Sequence, residues 1–456
     1  MAGPRVIVVG AGPAGTRAAE RLAAAGLRPV VIDEGRASGG QIYRRQPAGF
    51  RRPARELYGF EAARATAVHD GFDALGERID YRPDSVAWAL RDGRLHVASG
   101  GTTAALPYDA LILAVGATDR VMPVPGWTLP GVTTLGGAQI ALKAQGCTVG
   151  SRPVFLGTGP LLVYAAYQYA RVGVRPAAIL DTSPFSGRLA GLSRLAARPA
   201  MLAKGLLYTA SLAARRVPMI HGATPLAIEG TDRVAGLTFL DAAGRTRRVA
   251  CDAVALGYGL RSETQLADLA GCRFAFDPLA RQWLPETDPD GRTSVDGVYL
   301  AGDGARITGA DAAEIGGRLA ACAVLADAGD AAAAREAGTL RARMRPMLAF
   351  REGLERAFPW PARLARTLPD ETLVCRCEAI TAGDLRRTQD LGATEVNRAK
   401  AFCRVGMGRC QGRYCGLAGA EILADALGVP VAEVGRLRGQ APVKPLPAGT
   451  TVETVP

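Results

Sequence analysis

The first apolar run of the chain breaks on glycine, gives way to an amphipathic stretch, and turns apolar again before ending in acid: "RVIVVGAGPAGTRAAERLAAAGLRPVVIDEG" from Arg5. This pattern predicts a buried strand, a glycine turn, a helix and a second strand. Gly10 permits the tight turn, Gly12 lets backbone approach an anion, and Gly15 lets helix and strand pack closely, with the helix N-terminus facing the anion. Eighteen to nineteen residues beyond Gly15, Asp33 or Glu34 stands where an acid accepts hydrogen bonds from ribose hydroxyls. The period then shortens to two: "SVAWALRDGRLHVAS" alternates on either side of Asp92 and Gly93, a hairpin signal, and "YDALILAVGAT" is a buried strand running into Gly116.

The whole series recurs about 145 residues later. "PVFLGTGPLLVYAAYQYARVGVRPAAILD" repeats strand, turn, helix and strand; "RVAGLTFLDAAGRTRRVA" repeats the hairpin; "CDAVALGYG" repeats the closing strand. The second copy keeps Gly157 and Gly159 but has Leu162 at the third glycine position, and its second strand ends on Asp181. Gly157, Gly159 and Asp181 are therefore candidates for a second nucleotide, NAD(P) or ATP, on a copy that is otherwise vestigial. "TSVDGVYLAGDGARITGADAAEIGGRLAA" then carries a strand ending on Gly302 and Asp303, a glycine-rich turn and a helix.

This order predicts an α/β chain with two Rossmann-like dinucleotide-binding domains. The first takes residues 1–125 and 285–332, the second 126–284 with a basic amphipathic helical insert at 184–218. That insert reads by default as a solvated helical pair, with a partner surface or membrane-surface patch as the sharper alternatives. Residues 333–371 read as a helix stopping before Pro359 and a proline-punctuated linker, 372–430 as a small helical module, and 431–456 as an extended tail.

Composition narrows the function classes. With 456 residues, 48% apolar and 21% charged, the chain has material for two or three cored domains. The net charge of +12 is arginine spread along the whole chain with 6% aromatics, which bears on solubility and steering and gives no sign of a nucleic-acid partner. His69, His96 and His221 lie in separate segments, against histidine-centred acid–base chemistry. The first strand begins at Arg5 without a charged leader, and no apolar run is long enough to cross a bilayer, so a cytoplasmic location is expected, with the inner-membrane periphery as the variant.

Cysteine changes the picture most. Of nine, four form two tight groups: Cys375 and Cys377 in "LVCRCEAIT", then, thirty-two residues on, Cys410 and Cys415 in "GMGRCQGRYCG". Gaps of one and four depart from the two-residue gaps of structural zinc sites and fit a two-iron cluster better, with zinc as the alternative. Short capped helices are expected at "ITAGDLRRTQDLG" and "ATEVNRAKAFCRVG", and a third beginning inside the second cysteine pair. Arg376, Arg398, Lys400, Arg404, Arg409 and Arg413 surround the ligands and either raise a cluster's potential or merely solvate the surface. Cys403 is expected to pack inside a helix, and Cys147, Cys251, Cys272 and Cys322, none of them paired, as small core residues.

The opening fingerprint together with the Gly302–Asp303 turn resembles the two-dinucleotide-domain flavoproteins of the glutathione and thioredoxin reductase type. The resemblance implies FAD held by Gly10, Gly12, Pro13, Ala14 and Gly15, by Asp33 or Glu34, and by Gly40, Gln41 and Arg45 of "GGQIYRR". It further implies adenine by Val86, Ala114 and Gly116 at the closing strand, and Gly302 with Asp303 at the ribityl chain. Residues 1–330 lack the paired cysteines that disulfide reductases need, so the electrons must leave by another route. Residues 372–430 resemble the [2Fe–2S] module of bacterioferritin-associated ferredoxin, which implies Cys375, Cys377, Cys410 and Cys415 as ligands, although the four-residue gap is wider than in that module.

Taken together, "VGAGPAG", "IDEGRASGGQIYR", "GYGLRSETQLADLAGC", "YLAGDGA", "CRCE" and "GMGRCQGRYCG" resemble the FAD-containing α subunits of bacterial heteromeric amino-acid dehydrogenases, of the opine oxidase, D-hydroxyproline dehydrogenase, proline dehydrogenase and hydrogen cyanide synthase type. That implies an amino-acid-oxidase-like flavoprotein β subunit that binds the substrate, a further small iron–sulfur subunit or interface flavin in some complexes, and a respiratory or dye acceptor. Two alternatives stand beside it: a stand-alone reductase taking hydride from NAD(P)H at the second copy, and a scaffold whose cofactors serve assembly.

Overall fold

The computed structural model describes residues 3–452; Met1, Ala2 and the last four residues of the tail segment lie outside the described residues. Two five-stranded parallel sheets dominate. In the first, Val6–Val9 lies at the centre between Val30–Ile32 and Ala110–Leu113, with Asp80–Arg82 and Val298–Leu300 at the edges. All four residues of Val6–Val9 are buried, as an apolar run covered on both faces requires. Helix Pro13–Ala24, which opens on proline at its first turn, crosses from the central strand to Val30–Ile32. Helix Ala310–Asp327 lies directly against it, and a Cβ at Gly317 would stand 1.9 Å from the Ala14 carbonyl oxygen.

The second sheet repeats the plan around Pro153–Thr158, flanked by Ala178–Asp181 and Ala253–Tyr258, with Met219–His221 and Val132–Thr134 at the edges. One edge differs between the copies. The first sheet takes its last strand from far down the chain, the second from the segment that precedes its own central strand. Each domain also carries a three-stranded antiparallel ribbon, Ser85–Arg91 with Arg94–Ser99 and Thr102–Pro107, and Thr224–Glu229 with Gly236–Leu240 and Thr246–Ala250. The first hairpin turns on Asp92 and Gly93 at φ +52° and +67°, the left-handed pair that a two-residue turn demands.

The insert folds as two helices, Phe185–Leu195 and Pro199–Ala214. The first packs on helix Ala331–Ala357, where a Cβ at Gly353 would come within 2.8 Å of Leu195 N. That long helix ends two residues before Pro359 and is followed by core. Trp360, Leu364 and Leu368, from the stretch expected to be a linker, are buried in one cluster with Val154, Leu180 and Leu256 of the second sheet and Val374, Val396 and Ile422 of the C-terminal module. The module therefore shares a core with the second nucleotide domain.

The module has a short ribbon, Leu373–Cys375 with Ile380–Thr381, and helices Ala382–Arg387, Val396–Cys403 and Gly416–Leu427. Thr381 and Asp384 form a capping box and Glu395 caps the second helix, as the sequence predicts. The third helix does not begin inside the second cysteine pair; it starts at Gly416, after Cys415. Gln411 and Gly412 sit at φ +51° and +77°, a conformation that no right-handed helix accepts. Beyond it the chain is extended but docked: Val434 and Val443 are buried, and Thr451–Val452 adds a fourth strand to the first ribbon. Among the described residues no helix is long and apolar enough to cross a membrane.

Candidate functional site

The first crevice is built at the C-terminal ends of the first sheet. Gly10 has φ +104°, and a Cβ there would lie 2.4 Å from the Ala114 carbonyl oxygen; one at Gly15 would lie 1.7 Å from the Gly10 carbonyl oxygen. Only glycine lets the turn, the helix and the closing strand approach this closely. A Cβ at Gly12 would project toward Gly40, reaching 3.6 Å from its Cα, so the cradle between the turn and the 39–45 loop would be filled by a side chain. Gly304 closes the third side against Gly116, at 3.3 Å from its nitrogen for an added Cβ.

Of the two acids, Asp33 faces the crevice. Its Oδ2 accepts from Ala11 N and its Oδ1 from Gly35 N, and burial pushes its carboxyl above the ordinary range against the pull of those two amides. Glu34 is turned outward to Lys444 of the tail, 2.7 Å away. Asp303 Oδ1 accepts from Thr308 N (2.7 Å) and Gly309 N (3.0 Å) at the start of helix Ala310–Asp327, and burial raises its pKa. Val86 is half-buried on the ribbon strand. Arg45 is committed to Asp73, Ser38 and the His69 carbonyl, and the exposed Gln41 accepts from Arg44. The glycine turn, an inward acid at the end of the second strand and a cradle without side chains fit a dinucleotide.

The second crevice is furnished differently. Gly157 and Gly159 keep positive φ, +148° and +99°, but Leu162 is fully buried against Leu135, Phe155 and their neighbours, in place of a close helix–strand contact. Asp181 is spoken for: Ser183 donates to Oδ1 from N (3.0 Å) and Oγ (2.6 Å), Arg188 of the insert donates to Oδ2 (3.1 Å), and His221 lies 3.5 Å from it. Burial works against its charge, yet His221, Ser183 and Arg188 hold its pKa below the usual carboxylate range. The stretch after the long helix covers the same strand ends. Trp360 meets Tyr258 edge-on at 6.0 Å between centroids, and Arg363 donates to the Thr182 carbonyl at 3.1 Å.

The four grouped cysteines meet at the ribbon and turns of the module. Cys375 neighbours Cys415 and Cys377 neighbours Cys410, each pair taking one cysteine from either motif. The Cys415 thiol, helped by N–H groups of Gly406, Glu378 and Cys377, draws Cys375 down to about 6 despite burial. Gly408 lies against this group, since an added Cβ would stand 2.2 Å from Cys377 Cβ. Among the described residues no three His, Cys, Asp or Glu side chains converge as a cage for a single ion. The donor chemistry is four neighbouring thiols drawn from two motifs, which suits a unit wider than one ion.

Of the surrounding cations, Arg376 stacks on Trp127, Arg398 on Phe402, Arg404 pairs with Glu378, and Lys400 donates to Gln440. Arg409 is exposed. Of this set Arg413 and Lys400 are buried, and Arg413 lies within the second motif itself. Cys403 is half-buried as the last residue of its helix, and Cys251, Cys272 and Cys322 are core, whereas Cys147 is exposed past the end of helix Leu135–Ala144, a correction to the core reading.

Contacts that the motifs did not reveal join the two sites. From Gly116 the chain enters strand Ala117–Asp119, which pairs with Leu260–Ser262. Glu263 N donates to the Gly116 carbonyl at 3.0 Å, and Glu263 Oε2 accepts from Arg413 Nε at 2.6 Å, with both side chains 8% exposed. One residue therefore touches the end of the first crevice and the loop between Cys410 and Cys415. Trp127 Nε1 adds a bond to the Leu373 carbonyl at 2.7 Å. No local pattern announces these contacts, because the partners are about 150 residues apart and Glu263 follows a three-residue strand.

Comparison with known proteins places this architecture. Residues 4–323 match the family model of the pyridine nucleotide-disulphide oxidoreductases. The A subunit of opine oxidase from Rhizobium meliloti is 37% identical over 97% of this chain and 86% of its own length. The chain belongs to the pyridine nucleotide-disulphide oxidoreductase family and is related to the opine oxidase A subunits. The HcnB subunit of hydrogen cyanide synthase from Pseudomonas aeruginosa is 33% identical over 97% of both chains. A member of this family is an oxidoreductase, and the first crevice accords with a flavin cofactor. Residues 370–453 match the sarcosine oxidase A3 domain, a span that includes the docked tail as well as the helical module. The crystal structure of L-proline dehydrogenase from P. horikoshii shares the fold, with a TM-score of 0.72 over 98% of this chain and 79% of that one, at 20% identity. Several relatives in this family are named as subunits, and the chain shares with them the fold of a flavin oxidoreductase.

Proposed function

We propose that the chain is the electron-transfer flavoprotein subunit of a heteromeric FAD and [2Fe–2S] dehydrogenase. Its complex oxidises the C–N bond of an amino or imino acid of the opine, hydroxyproline, proline or glycine class, and an amino-acid-oxidase-like β subunit binds the substrate. The observation that carries this reading is the contact from Gly116 through Glu263 to Arg413, which sets the four-thiol site one short strand from the end of the first crevice. Gly10, Gly12, Gly15, Asp33 and Asp303 hold FAD; Cys375, Cys377, Cys410 and Cys415 hold the iron–sulfur centre. When bound, FAD takes up an electron pair and the iron–sulfur centre passes electrons singly.

The chain's own residues supply the rest. The glycine turn presents amide N–H groups and a helix N-terminus to pyrophosphate. Asp33 is positioned for the ribose. The N–H groups of Gly406, Glu378 and Cys377 stabilise sulfur as thiolate. The engagement of Asp181 by Arg188 and His221 disfavours the stand-alone NAD(P)H reductase, because the acid for a second ribose is already bonded within the chain. The test is the cofactor content of Cys410→Ser: flavin is retained and iron is lost. Unchanged iron in that variant, or a purified wild-type chain without flavin absorbance, contradicts the assignment.

A further inference from the structure

We propose that Arg261, Glu263 and Gln265 form a clamp that positions the Cys410–Cys415 loop, and that the buried Glu263–Arg413 pair sets the electrostatic field of the centre held there. This rests on the iron–sulfur reading above. Four consecutive carbonyls of the loop are captured. Cys410 O accepts from Arg413 Nη1 (3.3 Å), Gln411 O from Gln265 Nε2 (2.5 Å), and Gly412 O and Arg413 O from Arg261 Nη1 (3.4 and 3.1 Å). Arg261 lies in strand Leu260–Ser262, Glu263 directly follows it, and Gln265 opens helix Gln265–Leu269, so the three side chains reach the loop from one strand-to-helix turn. These bonds fix the backbone of the loop that carries Cys410 and Cys415.

The two charges are fixed on opposite sides of this contact. Glu263 Oε1 accepts from Gln265 N at 3.2 Å and Oε2 from Arg413 Nε at 2.6 Å, while Arg413 Nη1 also donates to the Val443 carbonyl at 2.6 Å. The guanidinium is thus held on the loop it belongs to, and the carboxylate on the residue whose N–H bonds the Gly116 carbonyl. Both are desolvated, so removing either leaves a poorly screened charge near the thiols. Reduction adds one negative charge to a four-thiolate centre. Removing the Glu263 charge must therefore raise its potential, and removing the Arg413 charge must lower it.

The experiment uses the full-length chain as wild type, Glu263→Gln, Arg413→Gln, the double variant and the charge-keeping Arg413→Lys. It measures iron and flavin per chain and the midpoint potential of the iron centre by spectroelectrochemistry. The expected result is an upward shift in Glu263→Gln, a downward shift in Arg413→Gln, a double variant close to wild type, and Arg413→Lys close to wild type. Single variants that retain iron and shift in the same direction, or do not shift, overturn the proposal. If a neutralised single variant fails to fold, Arg413→Lys and the double variant decide: a shift of either away from wild type as large as that of the single variant that does fold overturns it. Wild-type chain with flavin but no iron contradicts the underlying iron–sulfur reading, a result separate from any of these.

Discussion

The two nucleotide-binding copies share a strand plan and differ in what occupies the strand ends. In the first, Gly15 allows contact with Gly10, Asp33 meets only backbone amides, and the space between Gly12 and Gly40 is left without side chains. In the second, Leu162 fills the helix–strand contact, Asp181 is bonded to Ser183, Arg188 and His221, and Trp360 and Arg363 lie across the sheet end. Duplication preserved the scaffold, and binding capacity followed a few side chains at its ends. The second copy instead supports the C-terminal module, with which it shares one continuous buried cluster.

That contrast can be broken from either side. Leu162→Gly restores the three-glycine spelling to the second copy. It removes a fully buried side chain from a packed cluster and puts glycine in a helix, a cost of about 4 kcal/mol in thermal or denaturant unfolding. No reactivity with NADH is expected to follow, because Asp181 stays engaged; NADH binding by this variant would mean that the third glycine alone separates the copies.

Gly15→Ala attacks the first copy. Its methyl group would stand 1.7 Å from the Gly10 carbonyl oxygen, so backbone must move, at about 3 kcal/mol and with loss of flavin absorbance from the purified chain. A smaller effect is expected from Asp181→Asn, about 2 kcal/mol at neutral pH. The folded-state pKa of Asp181 is depressed, so its contribution is fully present above the ordinary value of 3.8 and fades as pH falls through the lower folded value. Unfolding measured against pH should lose that acid-limb dependence in the variant, with flavin content unchanged. Smallest is Gly159→Ala, where φ is +99° but the added Cβ meets nothing nearer than 3.9 Å: about 1 kcal/mol of backbone strain and full flavin retention.

Much of this was legible in the sequence because the signals were local. Apolar runs broken by glycine located both sheets, alternation about Asp92 and Gly93 located the hairpin, and cysteine spacing located the thiol site. The choice between Asp33 and Glu34 was not legible: neighbours at a strand end face opposite ways, and which faces inward depends on register with the glycine turn. The proline-punctuated stretch read as linker because its apolar residues lack a period, yet Trp360, Leu364 and Leu368 are core, since the cluster they complete comes from elements far away in sequence. Residues 261–265 lie in "GYGLRSETQLADLAGC", yet nothing local marks them as a clamp, because a clamp is defined by partners about 150 positions off.

Anaerobic reduction of the isolated full-length chain tests the division of labour between the copies most directly. The account predicts that stoichiometric NADH or NADPH leaves the flavin band intact, while dithionite bleaches it and reduces the iron centre in the same sample. Rapid bleaching by either nicotinamide nucleotide would contradict it and make the second copy a working hydride port.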